Sequence, residues 1–367
     1  MRFAIAAGGT GGHLFPGLAV AEVLHAAGHQ VMVLTSEKHI DAVATEGRSE
    51  FRIERLPGIG LPRRVSLEAL RCVFRFSRGV MHCFSLFSEF QPAAVLGMGG
   101  FTSTAPILAG RLRGLPVFVH ESNAIPGKAN RLNAKIAGGL LVGFEDCIAK
   151  AGGVRCQWTG TPIREALRLH PGAEEARERF GLRPDRVTLL VMGGSQGAQG
   201  VNTATLGAAK LLGAKGIQII HITGAADEVR VREGYRALGI PAWVGAFHHA
   251  MQDAYSAAHG VIARSGAASL TELAHFQLPS ILIPYPHAAE DHQTLNARVF
   301  ERVGAGVLVP EREATPERLA EEIGKMLQPE IAARMASACG RLNVPDAAQR
   351  VAQVLLAATT SREGGAR

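Results

Sequence analysis

The sequence predicts an α/β protein built from two similar domains, and three observations carry that prediction. A βαβ pattern opens the chain. An apolar strand at residues 2–7 runs into a glycine loop, Gly8-Gly9-Thr10-Gly11-Gly12, then helical composition at 18–27 and a second strand at 30–35. The same design restarts past the middle, where the apolar run 187–192 meets Gly193-Gly194-Ser195-Gln196-Gly197-Ala198 and a helix from Val201. The length, 367 residues, suits about two domains of ordinary size, and 47% hydrophobic residues supply a sizeable core.

Composition narrows the function classes. The formal net charge of +7 favours acidic partners such as phosphates, anionic lipid or nucleic acid. Aromatic residues are only 5% of the chain, which weighs against a base-stacking nucleic-acid binder. The five cysteines form no C-x-x-C pair, so reduced thiols and no zinc site are expected. No D-x-D motif occurs, so nothing in the sequence asks for a bound metal, and no cofactor is expected. The amino terminus runs straight into a strand without a signal peptide's long apolar region, and no run approaches the roughly 20 apolar residues of a membrane-spanning helix. Membrane contact is therefore expected to be peripheral.

In the first loop the glycines are out of register for a dinucleotide fingerprint, because Leu14 stands where the last glycine belongs and Thr35-Ser36 ends the second strand in place of an acid. A nicotinamide dehydrogenase is thereby disfavoured. His13 follows the loop at a helix start, where the partial positive charge keeps an imidazole neutral, the form a general base needs. The alternative is a histidine that only hydrogen-bonds the loop. Residues 61–90 read as one helix with Arg64, Glu68, Arg71, Arg75 and Arg78 along one face, beside an apolar stripe of Val73, Phe76, Val80, Phe84 and Phe87. Such a helix either lies on an anionic membrane surface or turns its phenylalanines to the core and solvates its arginines.

A strand at 93–97 ends in Met98-Gly99-Gly100, and a helix at 104–112 and a strand at 116–120 follow. The polar turn after it places Glu121 and Asn123 at the carboxyl end of a strand, the rim expected to carry His13 and ligands. Trp158-Thr159-Gly160-Thr161-Pro162 has the Gly, Thr and Pro content of a crossover, with Arg164 just past it. Further strands are expected at 218–223, 242–244 and 307–309. Residues 261–293 contain a strand, the turn Arg264-Ser265-Gly266, a helix from Ala267 with Glu272 in it, and another strand at 280–283. A helix start of this kind suits a pyrophosphate, and a glutamate a turn and a half in can accept from two ribose hydroxyls. An ordinary strand–turn–helix is the other reading. A last helix is expected at 346–358, and the small polar tail 359–367 is expected to be disordered.

Seven motifs in order then resemble one family: GGTGGHLFPGLAVAE, MGGF, HESNAIPGKAN, GTPIR, GGSQGA, RSGAASLTE and PYPHAAEDHQTLNA. Over most of its length the chain resembles the bacterial transferases of glycosyltransferase family 28 that add N-acetylglucosamine to undecaprenyl-pyrophosphoryl-muramyl-pentapeptide in peptidoglycan synthesis. The resemblance implies the GT-B architecture, two Rossmann-like domains with parallel sheets facing a deep cleft. Residues 1–161 together with the last helix would bind acceptor and membrane, and 162–345 would bind the donor. It implies donor contacts at Thr10, Gly11, Gly12, Asn123, Arg164, Ser195, His248, Ala267, Ala268, Ser269, Leu270, Thr271, Glu272 and Gln293, with Glu272 on the ribose and the His248 backbone at the uracil. His13 is the candidate general base, and Arg71, Arg75, Arg78, Val73, Phe76 and Val80 form the implied membrane patch. The partners implied are UDP-N-acetylglucosamine, the undecaprenyl-linked acceptor, the anionic inner leaflet at the cytoplasmic face of the plasma membrane, and other cell-wall synthesis proteins. No nucleic acid is implied. Alternatives are a GT-B transferase with another lipid or natural-product acceptor, a UDP-sugar epimerase, and a nucleotide-sugar sensor.

Overall fold

Two all-parallel sheets organise the chain. The computed structural model describes all residues except 39–40, 43–44, 57–66, 195–196, 214–215 and 365–367, and only the backbone of 67–71 and 361–364. The chain divides into unit 1, Met1–Arg164 with Val344–Arg367, and unit 2, Glu165–Asn343.

Unit 1 contains β1 (Arg2–Ala6), α1 (Gly11–Ala26), β2 (Gln30–Ser36), β3 (Arg52–Leu56), α2 (Leu67–Phe90), β4 (Ala94–Gly97), α3 (Thr104–Leu112), β5 (Val117–Glu121), α4 (Lys128–Ile136), β6 (Gly139–Val142) and β7 (Cys156–Trp158). The strands lie in the order β3-β2-β1-β4-β5-β6-β7. The central strands are buried on both faces, as their near-continuous apolar runs require. One face is covered by α1, whose Leu14, Leu18 and Leu24 pack with Phe3, Ile5, Val33 and Leu96. The chain's final helix joins that layer through Val351, Ala352 and Leu355. It spans Ala347–Gly364, so the tail expected to be disordered from Thr359 is helical to Gly364. The other face is covered by α2 and α3 through Cys83, Leu86, Phe87, Ala105 and Ile107.

Unit 2 repeats the design with α5 (Ala173–Arg179), β8 (Val187–Met192), α6 (Gln199–Leu212), β9 (Ile217–Ile222), α7 (Glu228–Ala237), β10 (Ala242–Gly245), α8 (Met251–Ala257), β11 (Gly260–Ala263), α9 (Ala267–His275), β12 (Ser280–Leu282), α10 (His292–Val303), β13 (Gly306–Leu308), α11 (Pro316–Met326) and α12 (Pro329–Leu342). Its order is β10-β9-β8-β11-β12-β13. Tyr235 and Tyr255 are its largest fully enclosed side chains.

Three further expectations change. The helix expected from residue 18 begins at Gly11, so His13 lies inside its first turn. Pro16, the sixth residue of that helix, forgoes the bond an N–H there would make to the Gly12 carbonyl. The strands β3, β6 and β7 were not expected: RIERL and CQW are polar strands at the two edges of the sheet, and GLLV is a buried apolar run inside it that was not read as a strand. The stripe on α2 divides differently from the membrane reading. Phe76, Val80 and Phe84 pack against the core, whereas Val73 (61% exposed), Phe74 (64%) and Met81 (69%) project outward. Phe76 and Val80 therefore leave the implied membrane patch: their side of the helix is the side that seals the sheet. Arg75 and Arg78 are exposed, and the Arg71 side chain lies outside the described residues, as does Arg64.

Candidate active site

In both sheets the chain reverses its direction of winding beside the first strand, between β1 and β4 in unit 1 and between β8 and β11 in unit 2. Loops leaving the carboxyl ends of two such strands part there and leave room for a ligand. Each unit places glycine-rich turns at that point.

In unit 1 the loop after β1 is held by Asp41, a fully buried carboxylate that sequence reading missed. Its Oδ2 accepts from Gly9 N (2.8 Å), Ser36 N (2.9 Å) and Ser36 Oγ (2.5 Å). Gly8 must lack a side chain, because a Cβ there would lie 2.6 Å from Asp41 Oδ2 and 2.7 Å from Ser36 N. Helix α1 then starts on Thr10, and Gly17 lets it approach the sheet: a Cβ at Gly17 would sit 2.4 Å from that of Ala7.

His13 lies against the turn after β4. Its ring rests on the bare backbone of Gly99 and Gly100, both at positive φ (+109° and +70°). Thr10 Oγ1 lies 3.2 Å from His13 Nδ1. Burial pushes the imidazole below its ordinary pKa, outweighing the opposite pull of the Glu121 and Asp41 carboxylates and the Gly8 backbone hydrogen bond. The helix start acts in the same direction. A neutral, fixed imidazole at a sheet switch point is an arrangement that can take a proton from a hydroxyl.

Glu121 organises the neighbouring turn. Its Oε1 accepts from Asn123 N (2.9 Å) and Asn123 Nδ2 (2.8 Å), and its Oε2 from Gly127 N (2.9 Å) and Asn130 Nδ2 (2.9 Å). Asn123 is thus oriented by the acid two residues before it. Arg164 stands over the Phe15 ring at 4.3 Å and belongs to unit 1, with Thr10, Gly11, Gly12 and Asn123.

The remaining expected donor residues belong to unit 2. The loop after β8 is tight: a Cβ at Gly197 (φ +76°) would meet Thr223 O at 2.3 Å, and Gly197 N donates to Gly194 O. Ser195 lies outside the described residues. Beneath this loop, Asn202 of α6 donates to Thr223 O (3.0 Å) and Asp227 Oδ2 (2.9 Å). The buried His221 is held between Asn202 Oδ1 (3.1 Å) and the Tyr235 hydroxyl (2.9 Å), and burial lowers its pKa to about 3.

The turn after β11 starts α9 with Gly266 as its first flanking residue. The N–H groups of Ala267, Ala268 and Ser269 belong to the first turn, where a helix leaves backbone donors unpaired. Leu270 is fully buried core with its N–H committed to Gly266 O (3.0 Å), and the Thr271 hydroxyl is committed to Ala267 O (2.9 Å). Glu272 Oε2 accepts from the Tyr255 hydroxyl at 2.5 Å. Gln293 ties two loops together: its Oε1 accepts from Tyr285 N (2.9 Å) and its carbonyl from Ser265 Oγ (2.8 Å). The His248 ring packs on Phe180 (4.8 Å between centroids) and Trp243 (5.3 Å), and burial lowers its pKa. Its side chain therefore serves packing.

Two doubly wound parallel sheets with glycine turns at each switch point define the GT-B class. The profile of the glycosyltransferase family 28 N-terminal domain matches residues 3–142, and that of the C-terminal domain matches 188–351. A protein of Shewanella denitrificans named UDP-N-acetylglucosamine--N-acetylmuramyl-(pentapeptide) pyrophosphoryl-undecaprenol N-acetylglucosamine transferase is 37% identical over 357 residues, 96% of this chain and 96% of its own. The Geobacter sulfurreducens protein of the same name is 37% identical over 369 residues, 99% of this chain and all of its own. The crystal structure of MurG from Acinetobacter baumannii matches with a TM-score of 0.77 at 26% identity, covering 97% of this chain and 99% of that one. The UDP-GlcNAc 2-epimerase of Neisseria meningitidis shares the fold, with a TM-score of 0.71 at 14% identity. The chain belongs to glycosyltransferase family 28.

Proposed function

We propose that this protein transfers N-acetylglucosamine from UDP-N-acetylglucosamine to the C4 hydroxyl of undecaprenyl-pyrophosphoryl-N-acetylmuramyl-pentapeptide, inverting the anomeric carbon. The observation that carries this reading is the end-to-end relationship to transferases of that name, at 37% identity over 96–99% of the chain. The acceptor oxygen attacks the anomeric carbon as the bond from that carbon to the diphosphate breaks. The hydroxyl proton goes to His13, and UDP leaves with the electron pair. A side chain positioned and neutral at the operating pH is what general-base catalysis asks for, and the lowered pKa of His13 meets that need.

Unit 2 binds the donor in this reading. Backbone N–H groups in the loop after β8 and in the first turn of α9 hold the diphosphate as its charge develops, with the helix dipoles behind them. Glu272 accepts from the ribose hydroxyls, and the His248 backbone meets the uracil. Unit 1 binds the acceptor. The acceptor carries a polyprenyl chain, so the protein works as a peripheral protein at the cytoplasmic face of the plasma membrane. No helix of the described residues is long and apolar enough to cross a membrane. Val73, Phe74 and Met81, with Arg75 and Arg78 among them on the exposed side of α2, have the amphipathic, basic character of an anionic-membrane contact.

The test is mass spectrometry of the product formed from UDP-N-acetylglucosamine and a short-chain analogue of the lipid acceptor. The expected product carries one added N-acetylhexosamine. Addition to diacylglycerol in its place, or isomerisation of the donor without acceptor, would overturn the assignment.

A further inference from the structure

Glu272 stands on α9, and a second helix fixes it. Tyr255, on α8, is only 2% exposed, and its hydroxyl meets Glu272 Oε2 at 2.5 Å. A carboxylate can only accept, so the phenol donates. The Tyr255 oxygen also lies 3.7 Å from the sulfur of Met192, the last residue of β8. Its ring packs on Phe276, 5.1 Å between centroids, at the far end of α9. One side chain therefore touches the strand that feeds the first glycine turn and the helix that begins at the second.

We propose that Tyr255 is a positioning residue for the donor nucleotide: its hydroxyl, buried between Met192 and Glu272, holds the Glu272 carboxylate in the orientation that receives the ribose hydroxyls. The physical argument is one of pre-organisation. A glutamate side chain has three rotatable bonds, and freezing them on ligand binding costs free energy. A charge-assisted hydrogen bond to one oxygen restricts those torsions before the nucleotide arrives. The bond is made by a neutral phenol, so it fixes the carboxylate without cancelling its charge, as a lysine or arginine in the same place would. The aromatic ring brings rigidity that a serine or threonine hydroxyl lacks, because it is buried and packed on Phe276.

The inference rests on the ribose reading of Glu272, and its test separates the two. Binding of UDP and of 2′,3′-dideoxy-UDP is measured by calorimetry for the wild type, Tyr255→Phe, Glu272→Ala and the double variant. Phenylalanine keeps the ring contacts with Phe276 and removes only the hydroxyl. Tyr255→Phe is expected to bind UDP about tenfold more weakly, the scale of a hydrogen bond to a charged group. It is expected to bind the dideoxy analogue as the wild type does, so the preference between the ligands falls. Glu272→Ala should abolish that preference, and adding Tyr255→Phe to it should cost nothing more. If Glu272→Ala keeps the wild-type preference, the ribose reading itself fails. If Glu272→Ala loses it while Tyr255→Phe keeps it, or if Tyr255→Phe weakens both ligands equally, Tyr255 is merely structural and the proposal is overturned. Should Tyr255→Phe not fold, Glu272→Gln serves. The amide keeps the shape and an acceptor for Tyr255 while removing the charge, so intermediate discrimination is expected, and discrimination as low as that of Glu272→Ala overturns positioning by the phenol.

Discussion

Replacing Gly99 by alanine tests whether the turn after β4 positions His13, the proposed base. The residue sits at φ +109°, a conformation that costs an L-residue about 1–3 kcal/mol. The new Cβ would stand 3.0 Å from His13 Nε2, 3.1 Å from His13 Cδ2 and 3.1 Å from Asn130 Nδ2. Asn130 is held by Glu121 Oε2 and His120 O, so the imidazole is the partner that gives way. It must move by a few tenths of an ångström, with Gly100 also against the same ring. A displacement of about 1 Å at a reacting group can cost about 100-fold, so a shift of this size predicts roughly tenfold in kcat. UDP affinity is expected to stay at the wild-type value, because the groups proposed to hold the diphosphate, ribose and uracil belong to unit 2. Steady-state turnover with a short-chain acceptor, calorimetry with UDP and urea unfolding read the three quantities. A folded Gly99→Ala protein with full turnover refutes the positioning argument. Loss of turnover in step with loss of UDP affinity refutes the assignment of the effect to His13.

Other outcomes follow from the same geometry. His13→Ala is expected to lower kcat by roughly 10²–10⁴ with little change in donor affinity. Burial holds His13 below its ordinary 6.5, so the acid limb of the wild-type rate lies below that pH, and stability from this group is complete above 6.5 and lost as pH falls through the lower folded value; a limb that persists in His13→Ala belongs to another group. Val73, Phe74 and Met81 changed to serine, or Arg75 and Arg78 to glutamate, should abolish salt-sensitive sedimentation with anionic liposomes and leave the melting temperature unchanged. Phe76→Ala should lower the melting temperature and leave sedimentation intact, and the opposite pattern would reverse the two faces of α2. His221→Phe strips partners from Asn202 Oδ1 and the Tyr235 hydroxyl and should cost about 2–5 kcal/mol in urea unfolding; a loss under about 0.5 kcal/mol would show that the network carries no stability.

The sequence by itself determined the α/β class, the twofold restart and the turns at the strand ends. These are local properties. A parallel strand buried on both faces needs an unbroken apolar run, and a backbone turned against a ligand or a helix needs glycine, so each leaves its mark within a few residues. The polar edge strand β3 left none, because an edge buries little. Tertiary structure alone decided which residues act together. His13 meets Gly99 and Gly100, Asp41 meets Gly9, and Tyr255 meets Glu272, pairings between segments far apart in the chain that no spacing encodes. It also decided which side of α2 is wet. Arginines and phenylalanines recur at the same helical period, and only packing against the sheet shows that Phe76 and Val80 face inward while Val73, Phe74 and Met81 face out. A periodic pattern gives a helix two faces; the neighbour it covers tells them apart.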